Sequence, residues 1–313
     1  MHSPRPPRHL LSLQGLGKAR IEALLRHAEW MRPHATGGSA MRERLRGRTV
    51  INLFFESSTR TRSSFQLAAQ RLGADVLNFD AAVSSARKGE TFLDTFHNLQ
   101  AMGADLFVIR VSESGALHDL QSHVMPNVSL VNAGDGRAAH PTQGLLDMLT
   151  IRQRKGTDFS ALKVLLVGDI KHSRGARCDL HALQALGTGE IRVCAPDNLL
   201  PDGTELTGCN IVPRLDDALE DVDVVMMLRL QRERMEEGLV SSLDDYHREF
   251  GLNTSRLAKA RQDAIVMHPG PMNRGVEITD AVADGAQSVI LQQVSNGVAV
   301  RMAVLDALVN GQI

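Results

Sequence analysis

The stretch VINLFFESSTRTRSSF, residues 50–65, decides the fold of this chain. Its apolar, β-branched and aromatic first part predicts a buried strand, which ends abruptly in hydroxyl residues and two arginines. A helical pattern follows, so backbone N–H groups, hydroxyl donors and guanidinium groups converge in one small volume. Residues 57–62 are therefore predicted to bind an anion, with phosphate as the best candidate. A plainer interpretation is that Ser58 or Thr59 only caps the helix and that both arginines are solvated.

The composition is that of an ordinary globular protein, with 43% apolar and 4% aromatic residues among 313, a length that allows two domains. Because Lys+Arg (35) and Asp+Glu (36) nearly cancel, the anion site is a local concentration of charge, and nucleic acid is not an expected partner. Three cysteines without CxxC spacing, Cys178, Cys194 and Cys209, indicate reduced thiols in a cytoplasmic protein and neither a metal site nor a disulfide frame. No apolar run approaches the roughly 20 residues that span a bilayer. Residues 1–9, basic and rich in proline, are expected to form a disordered tail.

Apolar runs alternate with helical patterns along the whole chain. This alternation predicts an α/β fold of two domains, each a mostly parallel sheet flanked by helices. The polar segment RQRKGTDFS, residues 152–160, marks the predicted boundary, which gives domains 1–150 and 151–291 and a last helix, about 292–313, that packs back onto the first domain. Predicted strands cover residues 50–55, 75–79, 105–110, 128–132, 163–167, 191–195, 210–212, 222–228 and 264–267, and the main predicted helices cover 18–31, 64–71, 91–102, 117–123 and 144–152.

Polar residues follow the carboxyl ends of the predicted strands in the first half, where open α/β sheets bind ligands. Arg110 ends one strand, and His140 precedes Pro141 at the start of a helix, where proline is well tolerated. A histidine in that setting is more often structural, but its position past a strand end favours function. The long loop 80–90 contains Ser84 and Lys88; it is either a binding loop or merely exposed, and the sequence favours neither.

The second half repeats this arrangement. Arg174 is predicted in a loop after a strand, within GDIKHSRGAR, and Arg229 and Gln231 end another strand. The GxGxxG fingerprint of dinucleotide binding is absent. Two arginines at one sheet edge suit a dicarboxylate, because each guanidinium can hold a carboxylate through paired hydrogen bonds. The segment HPGP, residues 268–271, is too stiff to continue as helix or strand, and its fixed backbone carbonyls could accept from an amine.

Five motifs together resemble the aspartate carbamoyltransferase catalytic chain. They are SSTRTR (57–62), SSARKGET (84–91), HPTQ (140–143), RLQ (229–231) and HPGP (268–271), and they occur in the order that this family shows. Two departures are visible. Some members have leucine in place of Gly270, and the YGR-like context of Arg174 is HSR here, but neither change removes a ligand group.

The resemblance implies transfer of a carbamoyl group from carbamoyl phosphate to the α-amine of L-aspartate, an early committed step of pyrimidine biosynthesis, without a metal or other cofactor. It implies two groups of substrate ligands and a catalytic set. For carbamoyl phosphate they are Ser58, Thr59, Arg60, Thr61, Ser84, Arg110, His140 and Gln143; for aspartate they are Lys88, Arg174, Arg229, Gln231, Gly270 and Pro271; the catalytic set is Arg60, Thr61, Lys88, Arg110 and His140.

The resemblance also implies a homotrimer whose sites are shared between subunits, with Ser84 and Lys88 reaching the neighbouring chain's site. Such trimers occur alone, with zinc-bearing regulatory chains, or with dihydroorotase-like partners; the HPGP variant is similar to members without regulatory chains. An ornithine carbamoyltransferase is the near alternative, but that family has a Ser-Met-Gly loop and a His-Cys-Leu-Pro turn. The alternative of another class is a catalytically silent scaffold or phosphate-sensing subunit, which would not need Lys88, His140 and Arg229.

Overall fold

The computed structural model describes residues 9–80, 91–231 and 242–311. It divides into two compact units, the first containing Met1–Leu146 and Ser295–Ile313 and the second Asp147–Val294. In the described residues each unit has a five-stranded sheet whose strand pairs are all parallel. The predicted fold class is therefore confirmed, whereas the assignment of residues 1–150 and 151–291 to separate substrate-binding domains stays a prediction.

The sheet of the first unit has the order β1-β5-β4-β2-β3. Its strands are β1 (His9–Leu10), β2 (Thr49–Phe54), β3 (Asp75–Asp80), β4 (Leu106–Val111) and β5 (Ser129–Asp135). Its helices are α1 (Lys18–Met31), α2 (Thr59–Leu72), α3 (Phe92–Ala101) and α4 (Ala116–Leu120), together with the first six residues of α5 (Pro141–Lys155) and residues 295–310 of α11 (Ile290–Asn310).

The core of this unit lies around its central strands. Every residue of β4 and β5 is buried, because a parallel sheet is covered on both faces. Ile51, Phe96, Phe107 and Ile109 belong to one buried cluster that joins the sheet to α3. Helix α1 has its predicted bounds, 18–31, and strand β2, predicted over 50–55, is shifted by one residue to Thr49–Phe54.

Two predictions for the first unit are wrong. Helix α2 begins at Thr59, five residues before its predicted start, because its first turn is polar and carries no apolar periodicity. His9, assigned to a disordered tail, lies in β1 and pairs with Leu130 of β5; the backbone N–H of Leu130 donates to His9 Nδ1 at 3.0 Å. Residues 1–8 lie outside the described residues.

The sheet of the second unit has the order β10-β9-β6-β7-β8. Its strands are β6 (Lys163–Val167), β7 (Glu190–Cys194), β8 (Asn210–Ile211), β9 (Val224–Met227) and β10 (Ile265–Met267). Its helices are α6 (Arg174–Leu186), α7 (Leu215–Ala218), α8 (Leu243–Phe250), α9 (Thr254–Leu257) and α10 (Asp280–Ala283), together with residues 147–155 of α5 and 290–294 of α11. Residues 152–155 of the predicted linker thus belong to α5.

Candidate active site

In the first unit the candidate residues follow adjacent strands at one edge of the sheet. The chain runs from β2 outward to β3 in one direction and from β4 to β5 in the other, so a topological switch point lies between β2 and β4. Ligands of open α/β sheets bind in the crevice outside the carboxyl ends of the strands at such a point. Phe54 pairs with Arg110 there, and the backbone N–H of Phe55 donates to Arg110 O at 2.8 Å. The segment 56–61 and Arg110 therefore meet at this crevice.

The start of α2 has the features of an anion site. Ser58 precedes the helix in extended conformation, and its side chain forms no capping hydrogen bond with the first turn. Ser58 thus stands at the N-cap position without a side-chain cap, and anion binding by this segment stays a prediction. Thr59 and Arg60 are exposed, whereas Thr61 is buried, and Ser64 Oγ donates to Arg60 O at 2.7 Å. The first N–H groups of a helix have no acceptor within the helix and carry its partial positive charge, so the start of α2 suits an anion.

Arg110 is only 8% exposed, and its guanidinium is held by contacts with Glu56 and Ala133. Its Nη2 donates to Glu56 Oε1 at 2.6 Å, and its Nη1 donates to Ala133 O at 3.1 Å. A charge-assisted bond of this length fixes the guanidinium plane before any ligand binds. Glu56 was not predicted as a site residue, although an acidic residue between an apolar strand and a cluster of hydroxyls could have indicated a partner for an arginine.

His140 and Gln143 follow β5, the neighbour of β4 on the other side. Helix α5 begins at Pro141, within the segment predicted to open it but three residues before the predicted range 144–152, and the backbone N–H of Gln143 donates to His140 O at 2.9 Å. The His140 side chain is buried. The structure thus places Arg110 near the carboxyl end of β4, Ser58 and Thr61 after β2, and His140 and Gln143 after β5. Ser84 and Lys88 lie outside the described residues.

In the second unit the switch point lies between β6 and β9. Arg174 is the first residue of α6, not a loop residue as predicted, and it is buried. Ser173 caps this helix, since its Oγ accepts from the backbone N–H of Ala176 at 3.1 Å. Arg229 and Gln231 follow β9, so the predicted aspartate ligands come from the two strands that flank the switch point.

Asp169, a fully buried residue after β6, joins these two segments. Its Oδ1 accepts from the backbone N–H of His172 at 3.1 Å and lies 2.8 Å from His172 Nδ1. Its Oδ2 accepts from the backbone N–H of Gln231 at 3.2 Å. Asp169 therefore fixes the backbone that presents Gln231. Asp169 was not predicted as a site residue, because an acidic residue after a strand is compatible with many roles.

The HPGP turn, residues 268–271, follows β10 and is stabilised by a hydrogen bond to the side chain of its first residue, His268. The backbone N–H of Gly270 donates to His268 Nδ1 at 2.8 Å, so the proton of a neutral ring lies on Nε2 and is donated to Glu277 Oε1 at 3.1 Å. Glu277 Oε1 also accepts from the backbone N–H of Asn273 at 2.6 Å. Asn273 Nδ2 in turn donates to Leu230 O at 3.3 Å, which connects the turn to the segment that carries Arg229 and Gln231.

Two family models match consecutive parts of the chain. Residues 8–153 match the carbamoyl-P binding domain of aspartate/ornithine carbamoyltransferases, and residues 160–308 match the Asp/Orn binding domain. The chain therefore belongs to the aspartate/ornithine carbamoyltransferase family. Within the described residues no helix is long and apolar enough to cross a membrane.

Curated relatives separate the two branches of that family. The chain is 64% identical over 301 residues to the aspartate carbamoyltransferase catalytic subunit of Xanthomonas campestris pv. campestris (strain B100), which covers 96% of each chain. It is 31% identical to the Trypanosoma cruzi aspartate transcarbamoylase solved in complex with carbamoyl phosphate and aspartate, with a TM-score of 0.84 and 96% of each chain covered. An ornithine carbamoyltransferase from Thermus thermophilus gives the same TM-score of 0.84 at 25% identity, covering 97% of this chain and 99% of that one. The fold alone therefore does not choose the acceptor, whereas the sequence relationship confirms the predicted resemblance to the aspartate branch.

Proposed function

We propose that this chain transfers the carbamoyl group of carbamoyl phosphate to the α-amine of L-aspartate, which gives N-carbamoyl-L-aspartate and phosphate. This reaction is an early committed step of pyrimidine biosynthesis. The observation that carries the proposal is the pair of segments at the second unit's switch point. There Arg174 starts α6, and Arg229 and Gln231 follow β9, with Asp169 joining the two.

The first unit binds carbamoyl phosphate in this proposal. The first turn of α2, with Ser58, Thr59, Arg60 and Thr61, holds the phosphate group, because N–H groups, hydroxyls and a guanidinium suit a dianion. Thr61, together with Arg110 and His140, faces the carbamoyl oxygen, where negative charge develops, and Gln143 contacts the carbamoyl nitrogen. The Glu56–Arg110 bond supports this assignment, because a donor that is already oriented need not reorganise during the reaction.

The second unit binds aspartate through its two carboxylates. Arg174 and Arg229 supply guanidinium groups, Gln231 supplies an amide, and the backbone at Gly270 and Pro271 lies near the amine. The bonds that fix the HPGP turn and the Gln231 backbone support these roles, because a small charged ligand gains affinity when its site is preorganised.

The reaction requires the α-amine nitrogen to bond to the carbamoyl carbon while the bond from that carbon to the phosphate oxygen breaks. Holding both reactants in line replaces a bimolecular encounter, for which effective molarities of about 10⁵ M or more are known. One amine proton must leave, and the departing phosphate is the proposed acceptor. A pH–rate profile set by the titration of a protein side chain would contradict that acceptor.

The identity of the acceptor amine is tested by assaying the purified chain with carbamoyl phosphate and either L-aspartate or L-ornithine. We expect carbamoyl-aspartate to form with L-aspartate and no citrulline to form with L-ornithine, since the chain has Arg229-Leu230-Gln231 and HPGP where the ornithine branch has its own loop and turn. Equal turnover of ornithine would refute the aspartate assignment. Absence of both products would favour a silent scaffold subunit.

We further propose a cytoplasmic homotrimer in which Ser84 and Lys88 complete the neighbouring chain's site. The name of the curated relatives as catalytic subunits supports an oligomer. Cys178, Cys194 and Cys209 form no disulfide within the described residues, which fits a reducing compartment. Mixing inactive Lys88→Ala and Arg60→Ala chains should restore part of the activity, because hybrid trimers contain an intact site. No recovery on mixing would contradict shared sites.

A further inference from the structure

A chain of buried polar groups in the second unit reaches the HPGP turn from helix α11. Gln293 is 2% exposed and lies in the first turns of α11, next to the place where the backbone of residues 288–289 pairs with Val266 of β10. Its Oε1 accepts from the backbone N–H of His268 at 2.9 Å. Its Nε2 donates to Asp147 Oδ1 at 2.6 Å.

The orientation of the Gln293 amide follows from its two neighbours. A backbone N–H can only donate, so the amide atom that faces His268 must be the oxygen, and the amide nitrogen then faces the Asp147 carboxyl group. The 2.6 Å separation is that of a charge-assisted bond, which indicates that Asp147 is the ionised acceptor. Both contacts of the amide are therefore satisfied in a single orientation.

Asp179 completes the chain behind Asp147. Burial, and then the charge and the hydrogen bond of Asp147, raise the pKa of the Asp179 carboxyl group well above its usual range. The raised pKa favours the protonated form of Asp179, which donates to Asp147, so that the pair shares one negative charge facing the Gln293 amide. A buried pair that is hydrogen-bonded in this way resists rearrangement, because breaking it would leave a buried charge uncompensated.

We propose that Gln293 is a positioning residue that fixes the backbone of the HPGP turn at His268 and thereby sets the aspartate-binding geometry of Gly270 and Pro271. His268 is held at its backbone by Gln293 and at its ring by the Gly270 N–H and Glu277, so the turn is anchored on two sides. The ring contacts arise within residues 268–277. Gln293 alone of these groups connects the turn to α11 and, through Asp147, to α5.

This inference rests on the proposed role of the turn in binding aspartate. It is therefore tested by two measurements, steady-state kinetics and an exchange experiment that does not depend on activity. Gln293→Met keeps the length of the side chain and removes both hydrogen bonds. We expect the KM for aspartate to rise about tenfold or more, since small misplacements away from the reacting atoms are costly, while the KM for carbamoyl phosphate changes less than about twofold. Gln292→Met is the matched control, because the Gln292 amide is bonded to Arg154 and Gln153 instead of the turn; both of its KM values should stay as in the wild type.

Hydrogen–deuterium exchange provides a readout that does not need activity. The N–H groups of His268, Gly270 and Asn273 are all hydrogen-bonded within the network. Gln293→Met should speed exchange in peptides that cover residues 268–273, and Gln292→Met should not. If the wild type forms no carbamoyl-aspartate but the exchange difference appears, the proposed function fails and the positioning role remains.

Gln293→Glu keeps the test valid if the methionine variant does not fold. Its carboxyl group can accept from the His268 N–H through one oxygen and donate from the other, protonated oxygen to Asp147, so it should retain an aspartate KM within about threefold of the wild type. The proposal is overturned if Gln293→Met leaves aspartate KM and turn exchange unchanged, if it raises both KM values equally, or if Gln293→Glu impairs aspartate binding as much as loss of the amide does.

Discussion

Replacement of Arg44 by methionine should destabilise the first unit, because Arg44 neutralises a carboxylate that is completely buried. Asp306, in α11, accepts from Arg44 Nε at 2.8 Å and from Arg44 Nη2 at 2.6 Å. It also accepts from Asn310 Nδ2 at 2.7 Å, and His27 Nε2 lies 2.9 Å from its Oδ2. The side chain of Asp306 is 0% exposed and that of Arg44 is 30% exposed. Arg44→Met retains the unbranched apolar stem and removes the fork of donors, together with the guanidinium that lies 5.7 Å from the centroid of the Trp30 ring.

The expected loss follows from these contacts. Two hydrogen bonds to a charged group contribute about 1.5–3 kcal/mol each, and removing one member of a buried pair costs about 3–5 kcal/mol. Partial exposure of Arg44 and the donors that stay on Asp306 reduce this cost, so we expect a decrease of about 2–3 kcal/mol in the free energy of unfolding. For a unit of this size that corresponds to a Tm lower by about 4–12 °C.

Calorimetry at pH 7 measures this effect, with Arg46→Met as the control. Arg46 is 75% exposed and its partner Glu43 is 76% exposed, so loss of that pair should change stability by less than about 0.5 kcal/mol. Equal Tm values for the two variants would show that the buried carboxylate does not depend on Arg44 and would refute the reasoning.

The same contacts predict how the Arg44 contribution depends on pH. Burial alone would raise the pKa of Asp306, but hydrogen bonds from His27, Arg44 and Asn310 outweigh it and lower the pKa below its ordinary value. A carboxyl group with a lowered folded-state pKa contributes stability above its unfolded pKa of about 3.9, and loses that contribution as the pH falls through the folded-state value. The stability difference between wild type and Arg44→Met should therefore be full at pH 7 and shrink below about pH 4.

Three further outcomes test the site and its supporting backbone. Arg60→Ala should lower kcat by roughly 10²-fold, as loss of one preorganised donor does, and steady-state rates near the wild type would exclude Arg60 from the site. Arg229→Ala should raise the KM for aspartate about tenfold or more and the KM for carbamoyl phosphate far less, which initial-rate kinetics with each substrate varied would show. Gly168→Ala should cost about 1–3 kcal/mol in thermal unfolding, because Gly168 has φ of 114° and an added Cβ would lie 2.8 Å from Tyr246 Oη; an unchanged Tm would mean that this loop can relax.

Burial on both sides of a parallel sheet explains which elements could be predicted from the sequence. Strand β6 was predicted with its observed bounds and β2 within one residue, because a strand covered on both faces is an apolar run with clear ends. The two-residue strand β1 has no such pattern, and its order depends on pairing with residues about 120 positions away. Helix α11 begins at Ile290, two residues before its predicted start at about 292.

The candidate ligands were predictable and the residues that hold them were not, for a related physical reason. The proposed ligands, such as Arg60 and His140, stand in compact motifs whose residue types match the chemistry of the proposed substrates. Glu56 is separated from Arg110 by 54 residues, Asp169 from Gln231 by 62 and Gln293 from Asp147 by 146, so each pair exists only after the sheet has formed.

These supporting residues have a common electrostatic role. A site for two anionic substrates concentrates cations in a chain whose formal net charge is only −1, so its guanidinium and N–H donors must be kept in place by local acceptors. Glu56 and Asp169 each bond a donor of the site and hold it in place. A bond of this kind costs the desolvation of a carboxylate, and that cost is offset by the charge-assisted contact. The donors then lose little conformational freedom when substrate binds, so more of the interaction energy remains for stabilising the charge that develops during transfer.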